Sequence, residues 1–378
     1  MRYFRQADET CDTFLPGLRK ALGDVPLSVL ESPDSPAIRI FREAGGPNLL
    51  VPAEHGGAGV NALEATRVIR ALGAVAPSMT VGTMMHHFSL GTLYAVADSV
   101  AGDSDLKTML GQVVSERLLV ASGFAEGRTN QGILSPTLMA RPVDGGYLLT
   151  GSKKPCSLSR SMNLLTASVG MPQEDGSTAM GFLLLPADTE GVSVRPFWSN
   201  PALAGAESDE VRLEDVFVTD EQIVQPEPGQ EEALDELQTV GLIWFQMMIA
   251  AGYTGITSAL VRQVLEQRRG SATDRATLGI RLGGAVGLVE SLARTVDAGE
   301  VDNDALGNAL VVRFAVQDAL ADIVRLAVEL LGGMAYITSA DSSCLATAAQ
   351  AIAFHPPSRT SMAEGLTEHW SGQPVMVG

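Results

Sequence analysis

The sequence is poor in cysteine and in basic residues. Three cysteines occur among 378 residues, at the widely spaced positions Cys11, Cys156 and Cys344. An odd and scattered set argues against a disulfide framework, and a zinc site would need histidines that are equally scattered. Lys and Arg number 26 against 44 Asp and Glu, so the net charge is −18. A surface of this sign repels a phosphate polymer, which argues against nucleic-acid binding but still permits a small phosphorylated ligand held by a few local donors.

Long hydrophobic runs and an export signal are lacking as well. The longest apolar run, residues 241–255, is interrupted by Gln246, Gly252 and Thr254, so it falls short of the roughly 18 uncharged residues of a membrane span. Hydrophobic residues nevertheless make up 46% of the chain, which predicts a large core or subunit interfaces. Residues 1–5 lack the apolar segment of a signal peptide, so we expect a cytoplasmic protein.

Hydrophobic periodicity divides the chain into helical, extended and again helical parts. Residues 1–118 carry apolar positions at helical spacing, whereas residues 119–226 contain short extended runs separated by Gly, Pro and Asp. A polar stretch at 226–232 precedes a second helical part, residues 233–378. The sequence therefore predicts an α+β protein with an N-terminal helical domain, a middle β-barrel-like domain and a C-terminal four-helix bundle.

Local signals predict several boundaries. Asn61 is placed to cap the helix that follows it, and Asp144-Gly145-Gly146 is typical of a turn between two strands. Gly332-Gly333 should stop a long helix, and Pro356-Pro357 must end another because neither proline has a backbone N–H to donate. Each signal therefore fixes the end of one predicted element.

Two further patterns predict packing. Residues 211–218 alternate as in a strand, with Val211, Leu213, Asp215 and Phe217 on one face, although the alternation is imperfect. One predicted helix carries glycines at positions 283, 284 and 287. Because glycine has no side chain, we expect another helix to approach closely there.

Five glycine- and proline-rich phrases follow one another in a fixed order. They lie at residues 46–59, 146–153, 213–218, 250–255 and 331–336. Together with the order helices, β unit, helices, these phrases resemble the acyl-CoA dehydrogenase family over nearly the whole chain. We therefore expect that family's fold, in a divergent and specialised biosynthetic member.

The resemblance implies a chemistry as well as a fold. Proteins of this family hold FAD between the β domain and the C-terminal bundle, with help from a neighbouring subunit, so a homodimer or homotetramer is expected. They oxidise an acyl thioester by α,β-desaturation: a glutamate takes the acidified α-proton while a hydride passes to the flavin. The implied partners are an acyl-CoA or acyl-carrier-protein substrate and an electron-accepting flavoprotein.

The catalytic base is displaced or missing in this chain. An ungapped count from Gly332 puts Pro356 at the position of the family's usual glutamate, and the alternative position used by some relatives falls near Trp244 and Phe245. Two candidates remain, each with a structural alternative. Glu364 lies in a phrase that looks like a displaced copy of the motif, or else on a solvated helix face. His355 is a neutral imidazole able to accept a proton near pH 7, or else a helix-end cap.

The resemblance also assigns cofactor and substrate contacts, although the flavin motifs are altered. The substrate candidates are His87, Phe245 and Tyr336, and no metal ligands are expected. The flavin candidates are Phe124, Glu126, Arg128, Thr129, Cys156, Ser157, Leu158, Ser159, Arg268, Glu329, Gly332 and Gly333. For most of the substrate and flavin candidates, a place in a polar loop, at a helix end or in the packed core is an equally simple explanation.

Three functions stay open at this point. The first is FAD-dependent α,β-desaturation of an acyl thioester carried by CoA or by an acyl-carrier protein. The second keeps fold and flavin but uses reduced flavin to activate oxygen, as a monooxygenase, because loss of a positioned carboxylate removes desaturation and leaves flavin reactivity intact. The third is a catalytically degenerate subunit that pairs with an active homologue.

Overall fold

The computed structural model of the chain describes residues 1–99, 104–127, 136–173, 176–224 and 231–376. Within these ranges helices come first, an eight-stranded sheet follows, and helices end the chain. This order confirms the predicted α+β architecture.

Among the described residues, the N-terminal part contains seven α-helices. The predicted cap begins the fifth of them: Asn61 Oδ1 accepts the Glu64 N–H at 2.8 Å, and a Glu64 carboxylate oxygen accepts the Asn61 N–H at 3.0 Å. This reciprocal pair satisfies backbone donors that a helix N-terminus otherwise leaves open. The helices are α1 (Arg2–Phe14), α2 (Leu18–Gly23), α3 (Leu27–Leu30), α4 (Ala37–Glu43), α5 (Ala62–Gly73), α6 (Pro77–Ser99) and α7 (Ser104–Glu116).

The middle part is one mixed sheet. Its strands are β1 (Val120–Gly123), β2 (Met139–Val143), β3 (Gly146–Cys156), β4 (Leu164–Pro172), β5 (Thr178–Pro186), β6 (Val192–Arg195), β7 (Asp209–Val218) and β8 (Ile223–Val224). They lie in the order β6-β7-β3-β2-β4-β5-β8, with β1 parallel to β4. β2 and β3 pair antiparallel on either side of Asp144 and Gly145, where Gly145 has a φ of 81°, so the predicted turn is confirmed.

The predicted faces of β7 are wrong beyond Leu213. Val211 and Leu213 share a buried face as grouped, but Asp215 and Phe217 are exposed, and Val216 and Val218 are buried instead. Asp215 has a φ of 51°, and the pairing of β7 with β3 shifts register beside it. One extra residue in a strand reverses the face of every residue that follows.

The described residues of the C-terminal part, 231–376, contain five α-helices. Gly332, with a φ of 83° and a ψ of 165°, interrupts the third of them after Leu331, where the sequence predicted a stop. The last two are separated by a short 3-10 turn, Ala351–Phe354, and by the predicted break at Pro356-Pro357. The helices are α8 (Glu231–Glu266), α9 (Ala272–Asp297), α10 (Asn303–Thr338), α11 (Ala340–Gln350) and α12 (Arg359–His369).

Close helix contact occurs at other glycines than expected. Within the described residues, a Cβ built on Gly283 would lie 3.6 Å from the Tyr3 ring of α1, an ordinary contact distance, and no atom lies within 4 Å of one built on Gly284 or Gly287. A Cβ on Gly255 of α8, by contrast, would lie 2.3 Å from the Arg70 carbonyl oxygen, and one on Gly73 would lie 2.5 Å from the Gly252 oxygen. The backbones of α5 and α8 therefore touch, and α9 keeps an open side.

Spatial contacts divide the chain into two compact units. The first unit comprises Met1–Met84, Asn200–Ala206 and Leu242–His355. The second comprises Met85–Ser199, Glu207–Gly241 and Pro356–Gly378. The division into domains 1–118, 119–226 and 233–378 follows secondary structure and stays a prediction.

In the part of the chain that the structure describes, two helical stretches, Gln238–Glu266 and Ala272–Asp297, are long and apolar enough to cross a membrane by length and composition alone. The most apolar 18-residue window of the first is 83% buried in the protein, and that of the second is 44% buried. The first window therefore has the burial of a core helix, whereas more than half of the second is not buried.

Candidate functional site

A serine-rich loop follows β3 in the second unit. The Ser157 and Ser208 hydroxyl oxygens lie 2.9 Å apart, and the Ser159 hydroxyl donates to the Glu207 carbonyl oxygen at 2.7 Å. The Ser161 hydroxyl donates to Glu207 Oε1, also at 2.7 Å. The predicted residues Ser157 and Ser159 thus share one small polar cluster, which we call the serine loop (Ser157, Ser159, Ser161, Glu207 and Ser208).

The serine loop contains strained backbone and an unused acceptor. Glu207 has a φ of 54° and Leu158 a φ of 64°, both in the region that disfavours L-residues with side chains. Glu207 Oε2 is buried and has no hydrogen-bond partner within the described residues. Ser157 is half-buried, so its hydroxyl lies at the edge of the cluster. Sequence reasoning missed Glu207, since a carboxylate in a polar stretch gives no periodic signal.

Cys156 and Leu158 flank Ser157 and are fully buried. Burial raises the pKa of the Cys156 thiol to about 12, so this cysteine stays protonated and unreactive at neutral pH. Both side chains therefore pack in the core and leave Ser157 as the polar group of this segment.

Glu126 belongs to a buried ion pair. Lys153 on β3 is fully buried, and its ammonium group contacts Glu126 Oε1 and donates to the Ser168 hydroxyl at 3.0 Å. The Thr137 hydroxyl donates to the second carboxylate oxygen of Glu126. Burial lowers the pKa of Lys153, and the Glu126 carboxylate opposes this effect. Both oxygens of Glu126 are thus occupied by protein groups.

Phe124 is the remaining flavin candidate near Glu126 that the structure describes. The Phe124 ring packs against those of Phe88 and Phe182, with centroids 6.2 and 5.9 Å apart. Phe124 therefore forms part of an aromatic cluster. Arg128 and Thr129 lie outside the described residues.

His87 is buried in α6 beside His86. His86 Nδ1 accepts the Val120 N–H at 3.0 Å, which ties α6 to β1. Burial, with a smaller effect of His86, lowers the pKa of His87 well below its usual value, so its ring stays neutral. His87 is therefore an uncharged polar side chain in the interior of the second unit.

A second polar cluster lies in the first unit. The Tyr253 hydroxyl of α8 and His355 Nε2 lie 2.7 Å apart, and the rings of Phe245 and His355 are 6.3 Å apart. Arg313 donates to the His355 carbonyl oxygen at 3.1 Å. Burial, together with the Arg313 charge, lowers the pKa of His355 to about 3. His355 is therefore neutral at physiological pH, and it is a weak proton acceptor.

Sequence reasoning missed Tyr253 and Arg313. Tyr253 stands inside the 250–255 phrase, and its phenol is fully buried among the mostly apolar residues of α8. Arg313 is a single cation on the apolar face of α10 and is buried. A polar residue within a largely apolar helical segment was the available signal for both.

The other C-terminal candidates lie at the surface of their units. Glu364 is exposed on α12 and belongs to a different unit from His355. Arg268 is exposed after the end of α8, and Tyr336 is 57% exposed on α10. Glu329 pairs with Arg325 on α10 at 2.9 Å. The backbone at Gly332 and Gly333 is open, with no atom of the described residues within 4 Å of either built Cβ.

No metal centre is formed by the part of the chain that the structure describes. Within it, no group of three or more His, Cys, Asp or Glu side chains has the spacing of a metal site. Among the described candidates, the polar groups are therefore hydroxyls, the neutral histidines His87 and His355, and the buried Lys153–Glu126 pair.

Comparison with known proteins gives two kinds of relative. The family model "Acyl-CoA dehydrogenase, N-terminal domain" matches residues 30–107. Isobutylamine N-hydroxylase of Streptomyces viridifaciens is 49% identical over 378 residues, covering all of both chains. Mitochondrial isovaleryl-CoA dehydrogenase of Arabidopsis thaliana is 26% identical over 311 residues, covering 76% of this chain and 71% of that protein.

Solved structures resemble the whole fold. The X-ray structure of KijD3 with FMN and a dTDP-linked amino keto sugar superimposes with a TM-score of 0.81 at 20% identity, covering 98% of this chain and 94% of that one. FMN-bound dibenzothiophene monooxygenase of Paenibacillus sp. A11-2 gives 0.79 at 17% identity, covering 100% and 99%. The fold therefore defines the class of acyl-CoA dehydrogenase-like proteins. Because a full-length relative shares 49% identity, the chain itself belongs to the acyl-CoA dehydrogenase family.

Proposed function

We propose that the chain is a flavin-dependent monooxygenase that N-hydroxylates a small aliphatic primary amine. The observation that carries this proposal is the full-length similarity, at 49% identity, to isobutylamine N-hydroxylase. In the balanced reaction a primary amine, O2, two electrons and two protons give a hydroxylamine and water. One oxygen atom enters the N–H bond, and the other leaves as water.

The candidate base region supports oxygen chemistry over α-proton abstraction. Pro356 stands where the family's usual carboxylate is expected, and the adjacent His355 is bonded to Tyr253 and is neutral, with a pKa of about 3. Glu364 is exposed on its own helix. Removal of an α-proton needs a positioned base of suitable pKa, whereas oxygen transfer to an amine needs only a free lone pair on nitrogen.

The serine loop fits the polar edge of a flavin ring. Such a ring offers carbonyl acceptors and one N–H donor, and this loop supplies the half-buried Ser157 hydroxyl and the buried, unpaired Glu207 Oε2. Ser159 holds the loop through the Glu207 carbonyl oxygen. When bound, a reduced flavin supplies the two electrons and activates O2. The chain's own residues orient the ring and exclude water from it.

FAD stays the proposed form of the flavin. The exposed guanidinium of Arg268 suits a phosphate, and the open backbone at Gly332 and Gly333 leaves room for an adenosine diphosphate portion. FMN, bound in two of the similar structures, is the alternative. Heat release of the flavin from purified protein, followed by chromatography, distinguishes the two.

A second copy of the chain is the proposed partner. The open side of α9 presents Ile280, Gly284, Gly287 and Leu288 at helical spacing, and we call this set the α9 stripe. Ile280 is 75% exposed and Leu288 is 40% exposed, so this face carries two exposed apolar side chains. The α9 stripe supports a homodimer or homotetramer, which we place in the cytoplasm.

Desaturation of an acyl thioester is the second candidate function. It is favoured by the similarity to isovaleryl-CoA dehydrogenase, and it assigns Glu364 as the base. The substrate is then carried by CoA or an acyl-carrier protein, and the electrons leave to an acceptor flavoprotein. Anaerobic bleaching of the flavin by isovaleryl-CoA is the expected signature.

The test of the first candidate is product formation. Purified protein, flavin, a flavin reductase with NADPH, and isobutylamine in air are expected to yield N-isobutylhydroxylamine, detected by mass spectrometry. Omitting the reductase should abolish the product, because no reduced flavin is then supplied. Oxidation of NADPH without any hydroxylamine contradicts the proposal.

A further inference from the structure

One buried face of α8 carries uncharged polar side chains. Tyr253 and Thr257 follow Gln246 by seven and eleven residues, which places each of them within about 20° of Gln246 on the helix surface. All three have 0% exposure, and the helix around them is built from apolar residues such as Met247, Met248 and Ile249. A polar stripe inside a core helix runs against the usual pattern, in which such a face is wholly apolar.

The amide of Gln246 is unused by the protein. Its Oε1 and Nε2 are buried, and neither has a hydrogen-bond partner within the described residues. Most buried polar groups of folded proteins are paired, so an amide with both atoms unpaired points to a bound molecule. Tyr253, on the same face, already has a partner in His355.

We propose that Gln246 determines substrate specificity by binding the amino group of the primary amine. Its Oε1 accepts one amine N–H, and its Nε2 donates to the oxygen of the hydroxylamine product. This inference rests on the proposed function and deepens it, because it names the group that recognises the reacting nitrogen.

The neutrality of Gln246 is what suits this role. An amine reacts with activated oxygen through its lone pair, and an ammonium group has none. A carboxylate at this position would stabilise the ammonium form, whereas a buried amide favours the neutral amine. The neighbouring Tyr253–His355 pair is neutral as well, since burial raises the pKa of Tyr253 and lowers that of His355.

Thr257 supplies a matched control. Its hydroxyl is equally buried and equally without a partner in the described part of the chain. It lies eleven residues along α8 from Gln246, about 16 Å along the axis, which is beyond the reach of the same amino group. Gln246→Met and Thr257→Val therefore each remove an unpaired polar group from one face, and only Gln246→Met removes the proposed amine contact.

The test is isobutylamine binding by calorimetry to flavin-loaded protein, with kcat and KM from hydroxylamine formation. Gln246→Met is expected to raise the Kd and KM for isobutylamine about tenfold, which is about 1.4 kcal/mol. Thr257→Val is expected to stay within about twofold of wild type. A Gln246→Met protein that binds isobutylamine like wild type, with a raised melting temperature, shows that the amide holds only water and overturns the inference.

Gln246→Glu tests the same contact at constant shape. A carboxylate should hold the ammonium form, so the Kd should not rise while kcat falls at least tenfold. An unchanged kcat overturns the inference. Wild-type protein that binds isobutylamine without hydroxylating it contradicts the proposed function alone, and the Gln246→Met to wild-type Kd ratio then decides the inference. Wild-type protein that binds no isobutylamine overturns it.

Discussion

At the scale of single residues, His355 shows how burial sets chemistry. Its imidazole bonds Tyr253 and lies near the Arg313 charge, so its pKa falls from 6.5 to about 3. A histidine of this pKa is a poor base at neutral pH, and it serves better as a neutral hydrogen-bond acceptor. The sequence alone left His355 open as an acid, a base or a cap.

His355 also makes stability depend on pH. Its folded pKa lies below its unfolded value, so between about pH 6.5 and pH 3 the unfolded chain binds a proton that the folded chain excludes. The stability advantage of wild type over His355→Gln should therefore shrink as pH falls through this window. Urea unfolding at several pH values measures it, and a constant difference between the two proteins contradicts the assignment.

The Lys153–Glu126 pair gives a second prediction at this scale. Both side chains are buried, so Lys153→Met leaves the Glu126 carboxylate without its cation. We expect Lys153→Met to destabilise the protein by about 3–5 kcal/mol, and the double variant Lys153→Met/Glu126→Gln to recover part of this loss. Urea unfolding measures both variants, and purely additive losses would show that the two groups are not coupled.

At the scale of secondary-structure elements, the glycines of α8 decide how the first unit packs. Gly255→Ala places a methyl group 2.3 Å from the Arg70 carbonyl oxygen, so α5 must shift, and we expect a loss of about 1–3 kcal/mol. Gly111→Ala in α7, where a Cβ meets no atom within 4 Å, is the control and should gain about 0.5–1 kcal/mol. Thermal unfolding compares them; equal effects at the two positions contradict the close contact.

The ends of helices and strands were the feature of the fold that the sequence predicted best. The cap at Asn61, the turn at Asp144 and the stop at Gly332 each depend on a few neighbouring residues, and each is present. The faces of β7 failed after Leu213 because the bulge at Asp215 depends on its pairing with β3. The glycines of α9 failed because a glycine permits a close approach and does not identify the helix that approaches.

At the scale of the whole molecule, the candidate site was harder to predict than the fold. The family resemblance proposed Ser157, Ser159 and His355 through local phrases, and their roles stay predictions. Glu207 and Gln246 stand out only by their buried, unpaired atoms, which no sequence pattern displays. The hydrogen-bond partner of a buried group often comes from a distant part of the sequence. A single sequence therefore does not show which buried polar groups lack a partner.

Assembly is the prediction that belongs to this scale. Ile280→Glu puts a charge in the α9 stripe and should lower the oligomeric state without loss of helix content, because a buried charge opposes association. Val29→Glu, at another exposed apolar residue of the first unit, should leave it unchanged. Analytical ultracentrifugation with circular dichroism measures both, and an Ile280→Glu protein of wild-type size contradicts the proposed interface.

We propose that this member of the acyl-CoA dehydrogenase family transfers oxygen to an amine. The decisive experiment is turnover of isobutylamine under heavy-isotope O2 with reduced flavin supplied. We expect a hydroxylamine that carries one heavy oxygen atom, and no bleaching of the flavin by isovaleryl-CoA in the absence of air. A hydroxylamine free of the label, or no hydroxylamine together with anaerobic bleaching by the thioester, would contradict it.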